Sequence, residues 1–183
     1  FERELQSKSE EEYKFEEISS TQLFEKTKND KIVLISDIAG AGKSSTITHI
    51  YKTFATKHPA NFHAFVSLKE HLKELQEEFE NFPEFLARKI LKLSNFELVL
   101  FLDMYKNNKV YIFLDGFDEI SPNCKENCIK LMKMFDSKQL WVTTRTHLEK
   151  DLGEELQAEA FSFKNFTEQE QIEFILKFWG VSV

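Results

Sequence analysis

Short continuous apolar runs alternate along this chain with longer segments in which apolar residues recur every three or four positions. Residues 32–35, 61–66, 110–114, 139–144 and 160–163 are runs of the first kind and read as strands. The longer segments read as helices. One spans 43–57 and stops before His58-Pro59, because a residue preceding proline is pushed out of the helical region. Residues 69–107 carry two stripes at helical spacing, Leu72, Leu75 and Phe79, then Phe85, Leu86, Ile90 and Leu93, with Pro83 near a helix start. Residues 98–102 have strand propensity but are assigned to helix, with a polar turn over 103–108. A helix over 124–135 follows Ser121-Pro122. Ser19-Ser20-Thr21 can cap a short helix running to Lys28, and Asn29-Asp30 makes a turn. Thr167 caps a final amphipathic helix with Gln169, Ile172, Phe174, Ile175 and Phe178.

Continuous apolar strands alternating with helices predict an α/β fold, a five-stranded parallel sheet with helices on both faces. Ligands of such sheets bind outside the carboxyl ends of the strands. Residues 1–17 are charged, with Glu10-Glu11-Glu12 and Glu16-Glu17, and read as a solvated lead-in, partly helical or disordered. The main body then covers 18–164. There is no internal repeat and no low-complexity linker.

Composition narrows the function. Hydrophobic residues make up 42% of the 183-residue chain and 19 are Phe, which places it among globular proteins. A net charge of −7 disfavours a dedicated nucleic-acid binder, which would carry a basic stripe. No apolar run approaches the roughly 18–20 residues that span a bilayer. There is no signal-peptide pattern, so a cytoplasmic location is expected, and the missing initial Met suggests an excised piece. Cys124 and Cys128 lie four apart on a predicted helix and read as reduced thiols. His49, His58, His63, His71 and His147 show no metal-ligand spacing.

Three motifs fall at predicted strand ends. In the first, the apolar run 32–35 leads into Gly40-Ala41-Gly42-Lys43-Ser44 and a helix, the layout of a phosphate-binding loop. Small residues let backbone N–H groups surround a phosphate. Lys43 supplies a charge for β- and γ-phosphates, Ser44 a hydroxyl for Mg²⁺, and the helix points its positive end at the anion. Asp37 stands where such loops usually have their first glycine. It either repels a triphosphate or turns away to hydrogen-bond the loop's own backbone. In the second motif, 110–114 ends in Asp115-Gly-Phe-Asp118-Glu119. Asp115 is placed to hold Mg²⁺, and Glu119 or Asp118 to orient a water against the γ-phosphate. In the third, Leu140-Trp-Val-Thr-Thr-Arg145 puts a guanidinium directly after a strand, where it can sense a γ-phosphate or stabilise its transfer.

With these motifs the chain resembles a NACHT domain, the nucleotide-binding module of the STAND class of P-loop signalling ATPases, over about residues 20–180. The resemblance rests on Ala39-Gly-Ala-Gly-Lys-Ser-Ser45, Phe113-Leu-Asp-Gly-Phe-Asp-Glu-Ile-Ser-Pro122, Leu140-Trp-Val-Thr-Thr-Arg145 and Phe163-Lys-Asn-Phe-Thr-Glu-Gln-Glu-Gln171. It is strongest toward large arthropod NACHT proteins. It implies a P-loop NTPase fold of the ASCE type, with the first helical subdomain starting over 165–183. Ala39, Gly40, Ala41, Gly42, Lys43, Ser44 and Ser45 would bind ATP or ADP, Ser44 and Asp115 the Mg²⁺, and Glu119, Asp118 and Arg145 would serve slow hydrolysis. The implied role is a switch, closed with ADP and opened by ATP exchange for self-association in innate-immune or cell-death signalling. No nucleic-acid or membrane partner is implied. The departures are Asp37 and Thr146, where proline often follows Thr-Thr-Arg. The winged-helix segment whose His contacts ADP in the family is not within this sequence. A non-hydrolysing nucleotide-binding scaffold is the main alternative, and a small-molecule kinase a weaker one. A GTPase would carry an Asn/Thr-Lys-x-Asp run, but Asn108-Lys109 is followed by Val-Tyr.

Overall fold

The computed structural model describes residues 5–7, 16–18, 20–164, 167–169, 171–172 and 176, with side chains from residue 22 onward. The strands are β1 (Leu5–Ser7), β2 (Glu16–Ile18), β3 (Ile32–Ser36), β4 (Phe62–Ser67), β5 (Val110–Asp115), β6 (Gln139–Thr144) and β7 (Ala160–Phe163). The main helices are α1 (Ser20–Thr27), α2 (Lys43–Lys57), α3 (Phe82–Phe85), α4 (Asn95–Lys106), α5 (Pro122–Lys133) and α6 (Thr146–Leu156).

One sheet runs in the order β2-β1-β7-β3-β6-β5-β4. Its five strands from β7 to β4 are parallel, each joined to its neighbour in register, as in Ile32↔Leu140 and Phe62↔Val110. The expected five-stranded parallel sheet is therefore present. β6 lies between β3 and β5, so the strands that end in the first two motifs are not neighbours; the strand carrying the third separates them.

Alternation of side chains sorts the core into two layers. Val33 and Ile35 of β3, Tyr111 and Phe113 of β5, Trp141 of β6 and Phe161 of β7 pack with Ile47, Ile50 and Phe54 of α2 and Leu23 of α1. Leu34, Ile112, Leu114, Leu140 and Val142 face the other way, onto α4, α5 and α6. Every residue of β6 is buried, as the middle strand of the parallel set requires.

Three local differences from the sequence reading stand out. The charged lead-in contributes two strands: β1 pairs antiparallel with β7 and with β2, satisfying backbone groups that β7 would otherwise leave at an open edge. The 69–107 segment is helical in pieces rather than continuous. It holds short 3₁₀ turns at Leu68–His71 and Glu74–Gln76, then α3, a π-helical turn Leu86–Ile90, and α4. α3 starts where the Asn81 side chain accepts from Glu84 N at 3.2 Å. α4 restarts at a capping box, with Ser94 N donating to Glu97 Oε2 at 2.8 Å and Glu97 N to Ser94 Oγ at 3.5 Å. Hydrogen bonding from the Ser94 side chain, and second from its backbone N–H, holds the Glu97 carboxyl below its usual range. Finally, α6 occupies a stretch for which the sequence reading gives no element. Leu148, Leu152 and Leu156 recur every four residues and pack onto the core. Phe174, Ile175 and Phe178 of the expected final helix lie outside the described residues.

Candidate functional site

The parallel strands deliver all three motifs to one edge of the sheet. β3 ends at Ser36, and the chain turns through residues 37–42 into α2. The turn requires a left-handed backbone at Gly40 (φ 76°) and Gly42 (φ 91°), which glycine adopts without penalty. Gly42 occupies the N-cap position of α2, and no side chain caps the helix. Its first N–H groups thus have no partner within the helix, the arrangement that receives an anion. Ala39 and Gly40 are exposed, Ala41, Gly42 and Lys43 half-buried, and Ser44 and Ser45 exposed.

Lys43 Nζ folds back over the loop, donating to Asp37 O at 3.0 Å and Ile38 O at 2.8 Å. The Asp37 carboxylate turns away from the loop's interior. Its Oδ1 accepts from Ile38 N at 2.7 Å and its Oδ2 from Phe163 N of β7 at 2.9 Å. Both oxygens serve backbone N–H groups, so the anionic residue at the first loop position is engaged in the structure of the loop itself.

At the end of β5, Asp115 is half-buried and its Oδ1 accepts from Thr143 Oγ1 at 2.6 Å. Thr143 Oγ1 in turn accepts from Gly116 N at 2.8 Å. The middle strand therefore orients the carboxylate through one hydroxyl. Gly116 is left-handed (φ 84°) and opens a 3₁₀ turn, Phe117–Glu119. This turn sends its two acids to different cations. Asp118 Oδ2 pairs with Arg145 Nε at 2.6 Å. Glu119 Oε2 pairs with Lys69 Nζ at 3.2 Å, from the turn after β4. Hydrogen bonding to Glu119 and its charge, with smaller help from Asp115, raise the Lys69 ammonium above its ordinary value. Ser36 Oγ and Thr144 Oγ1, register partners at the same strand ends, are buried without hydrogen-bond partners among the described residues.

Of the sequence-derived site, Lys43, Ser44, Asp115, Asp118, Glu119 and Arg145 all stand at or just beyond the carboxyl ends of β3, β5 and β6. Two participants went unread. Thr143 lies inside the third motif, but its role depends on the strand register with Asp115. Lys69 carries no sequence signal at all.

The residues fit a Mg²⁺ ion as phosphoryl-transfer sites hold it. Mg²⁺ usually keeps several waters and takes one or two carboxylates plus substrate phosphates. Asp115 has one oxygen not committed to Thr143, and Ser44 offers an exposed hydroxyl. Among the described residues no cluster of three or more His, Cys, Asp or Glu could hold an ion. A surface cavity of about 1330 Å³ lies elsewhere, along α5, lined by Glu78, Lys130 and Glu155 among others.

No family model and no curated protein matches the sequence. Solved structures do match. A crystal structure of a DNA replication initiation factor aligns with a TM-score of 0.52 at 15% identity, covering 88% of this chain and 51% of that one. The structure of PCH-2 from C. elegans aligns with a TM-score of 0.43 at 12% identity, covering 88% and 46%. The chain thus spans about half the length of the structures it matches. Strand order, loop geometry and the first of these likenesses agree: the chain has the P-loop NTPase fold.

Proposed function

We propose that this chain is the nucleotide-binding switch module of a larger signalling ATPase of the NACHT type, binding ATP and ADP with Mg²⁺ and hydrolysing ATP slowly. One observation carries the reading. β6 lies between the phosphate-loop strand and the Asp115 strand, so Lys43, Arg145 and Asp115 stand at the ends of three adjacent strands. A triphosphate laid across that edge meets a loop cation, a guanidinium and a metal-holding carboxylate in turn.

In this reading the N–H groups of residues 39–45 cradle the β-phosphate, and Lys43 shifts its ammonium from the loop carbonyls toward the β- and γ-phosphates. Ser44 and Asp115 would hold the Mg²⁺, which supplies charge neutralisation between the phosphates. Thr143 keeps the Asp115 carboxylate aimed. Glu119 orients the attacking water once its carboxylate leaves Lys69. Asp118 holds Arg145 near the γ-phosphate position. Residues 18–164 form the nucleotide-binding body, and 165 onward begins a helical subdomain. The longer protein, acting in the cytoplasm, self-associates when ATP replaces ADP, in innate-immune or cell-death signalling. No helix among the described residues is long and apolar enough to cross a membrane.

The experiment is a thermal-shift series with ATP, ADP, GTP and GDP, each with Mg²⁺. Adenine nucleotides should raise the melting temperature and guanine nucleotides should not. No shift with any of the four would end the reading. A second reading, a scaffold that holds nucleotide without cleaving it, draws support from the Lys69–Glu119 ion pair, which occupies the water-orienting carboxylate. Phosphate release at any rate above the buffer background, abolished in Glu119→Gln, decides between the two.

A further inference from the structure

Asp37 touches three strand ends at once. It follows the last residue of β3. Its N–H donates to Thr144 O of β6 at 3.4 Å, and its Oδ2 accepts from Phe163 N of β7 at 2.9 Å. The backbone ladder between β3 and β7 runs only through Leu34↔Ala160 and Ile35↔Phe161. At Phe163 the carboxylate of Asp37 takes the place of the next backbone acceptor. A glycine at the first loop position would leave that N–H without this partner.

We infer that Asp37 is a positioning residue that couples occupancy of the phosphate loop to the end of β7 and the segment beyond it. The inference rests on the nucleotide-binding reading above. The link is short. The Lys43 ammonium holds Asp37 O and Ile38 O. The peptide unit joining these two residues also carries the Ile38 N–H that binds Asp37 Oδ1 at 2.7 Å. A phosphate that draws the ammonium off the carbonyls therefore acts on the same peptide unit that fixes the carboxylate. The other oxygen of that carboxylate holds Phe163. A bound phosphate immobilises the loop, and the restraint passes through Asp37 to the amide of Phe163. The second contact of Asp37, to Thr144 O, places Arg145 one residue from the same junction.

The test is amide hydrogen exchange at Phe163 in the parent chain, Asp37→Gly and Asp37→Asn, with and without saturating Mg·ADP, alongside calorimetric binding of Mg·ADP to each. Asp37→Gly restores the residue usual in such loops, so it should fold and bind. In the parent, Mg·ADP should slow exchange at Phe163 by about tenfold or more, the scale of one hydrogen bond to a charged acceptor. In Asp37→Gly, Mg·ADP should bind while exchange at Phe163 stays the same with and without it. Asp37→Asn keeps one acceptor oxygen and should respond only partly. A purely local structural role would speed exchange in the variants yet leave the response to nucleotide intact, and that result overturns the coupling. A parent that binds Mg·ADP without any change at Phe163 overturns it too. If the parent binds no Mg·ADP, the nucleotide reading and the coupling fall together. The tether is then judged alone: about tenfold faster exchange in nucleotide-free Asp37→Gly upholds it, and unchanged exchange overturns it.

Discussion

Arg145 Nε lies 2.6 Å from Asp118 Oδ2, and the Asp118 side chain is only 4% exposed while that of Arg145 is 45% exposed. The pair ties the residue after β6 to the turn after β5, across the edge where the phosphates are proposed to lie. A carboxylate so covered and so paired is poorly placed to polarise a water. In the proposed function its service is to aim the guanidinium, which leaves Glu119 as the acid proposed for hydrolysis.

Asp118→Asn and Arg145→Ala should each destabilise the fold and should not add. Removing Arg145 leaves a nearly buried carboxylate without its partner. The full cost for a buried pair is about 3–5 kcal/mol, and the solvent reaching Arg145 reduces it to roughly 1–2 kcal/mol. A double-mutant cycle by denaturant unfolding checks this. Coupling below about 0.5 kcal/mol would mean that the two side chains act independently.

Glu119→Gln should slow phosphate release by about 10²-fold or more while nucleotide binding persists, as expected for loss of an acid–base group. Lys69→Ala should act in the opposite direction. The Lys69–Glu119 pair is exposed at both ends, 59% and 41%, so solvent screens it and its loss costs the fold little. Freeing Glu119 should raise turnover by up to about fivefold, with little change in stability. A Lys69→Ala variant as slow as Glu119→Gln would show that the lysine itself serves the reaction.

The elements legible in the sequence were those with an undisturbed local signal. α2 runs from Lys43 to Lys57, bounded by the glycine loop and by His58-Pro59, as read. The five parallel strands fall on the five apolar runs because a strand buried on both faces must be apolar throughout. The breaks in 69–107 were less visible. The apolar stripes continue across them, and only the Ser94-x-x-Glu97 capping box signals the restart. α6 was missed although Leu148, Leu152 and Leu156 keep helical spacing; Gly153 and the polar residues around it dilute that pattern. At the site, each motif could be placed at a strand end, but the partners could not. Thr143 reaches Asp115 only because β5 and β6 pair in one register, and Lys69 reaches Glu119 only because β4 lies beside β5. Such contacts depend on strand order, which no local pattern encodes.

Stability should fall on the alkaline side, beginning near pH 9. Burial pushes the Cys128 thiol from 9.0 to about 12, with a smaller push from Cys124. Burial likewise raises the Tyr105 hydroxyl from 10.0 to about 12, against the N–H of Asp136, which donates to it. Both groups are neutral when protonated and lose a proton more easily in the unfolded chain. Their contribution is therefore fully present below the unfolded pKa values. It is lost progressively as pH rises through the window up to about 12. Urea unfolding at pH 7, 9 and 10.5 should show this decline, and Cys128→Ala should flatten the part that starts near pH 9. The same burial predicts that both thiols resist alkylation at pH 8 until the protein is unfolded. Prompt labelling of Cys128 in the native state would contradict the packing of α5 against the sheet.

Lys43→Ala should abolish most nucleotide affinity and leave the fold standing. The side chain makes its described hydrogen bonds to two loop carbonyls, and Ile38, which carries one of them, is 63% exposed. Water can replace the ammonium there at little cost. Nothing else in the loop brings a full positive charge to the phosphates, since Ala39, Gly40, Ala41, Gly42, Ser44 and Ser45 offer only N–H groups and hydroxyls. A ligand present at 100 times its dissociation constant stabilises the folded state by about 2.7 kcal/mol. For a domain of this size that corresponds to a rise of roughly 5–10 °C in melting temperature. Mg·ATP should produce such a rise in the parent and none in Lys43→Ala, while the two ligand-free proteins melt within a degree or two of each other. Equal shifts in both proteins would place the phosphates somewhere other than this loop.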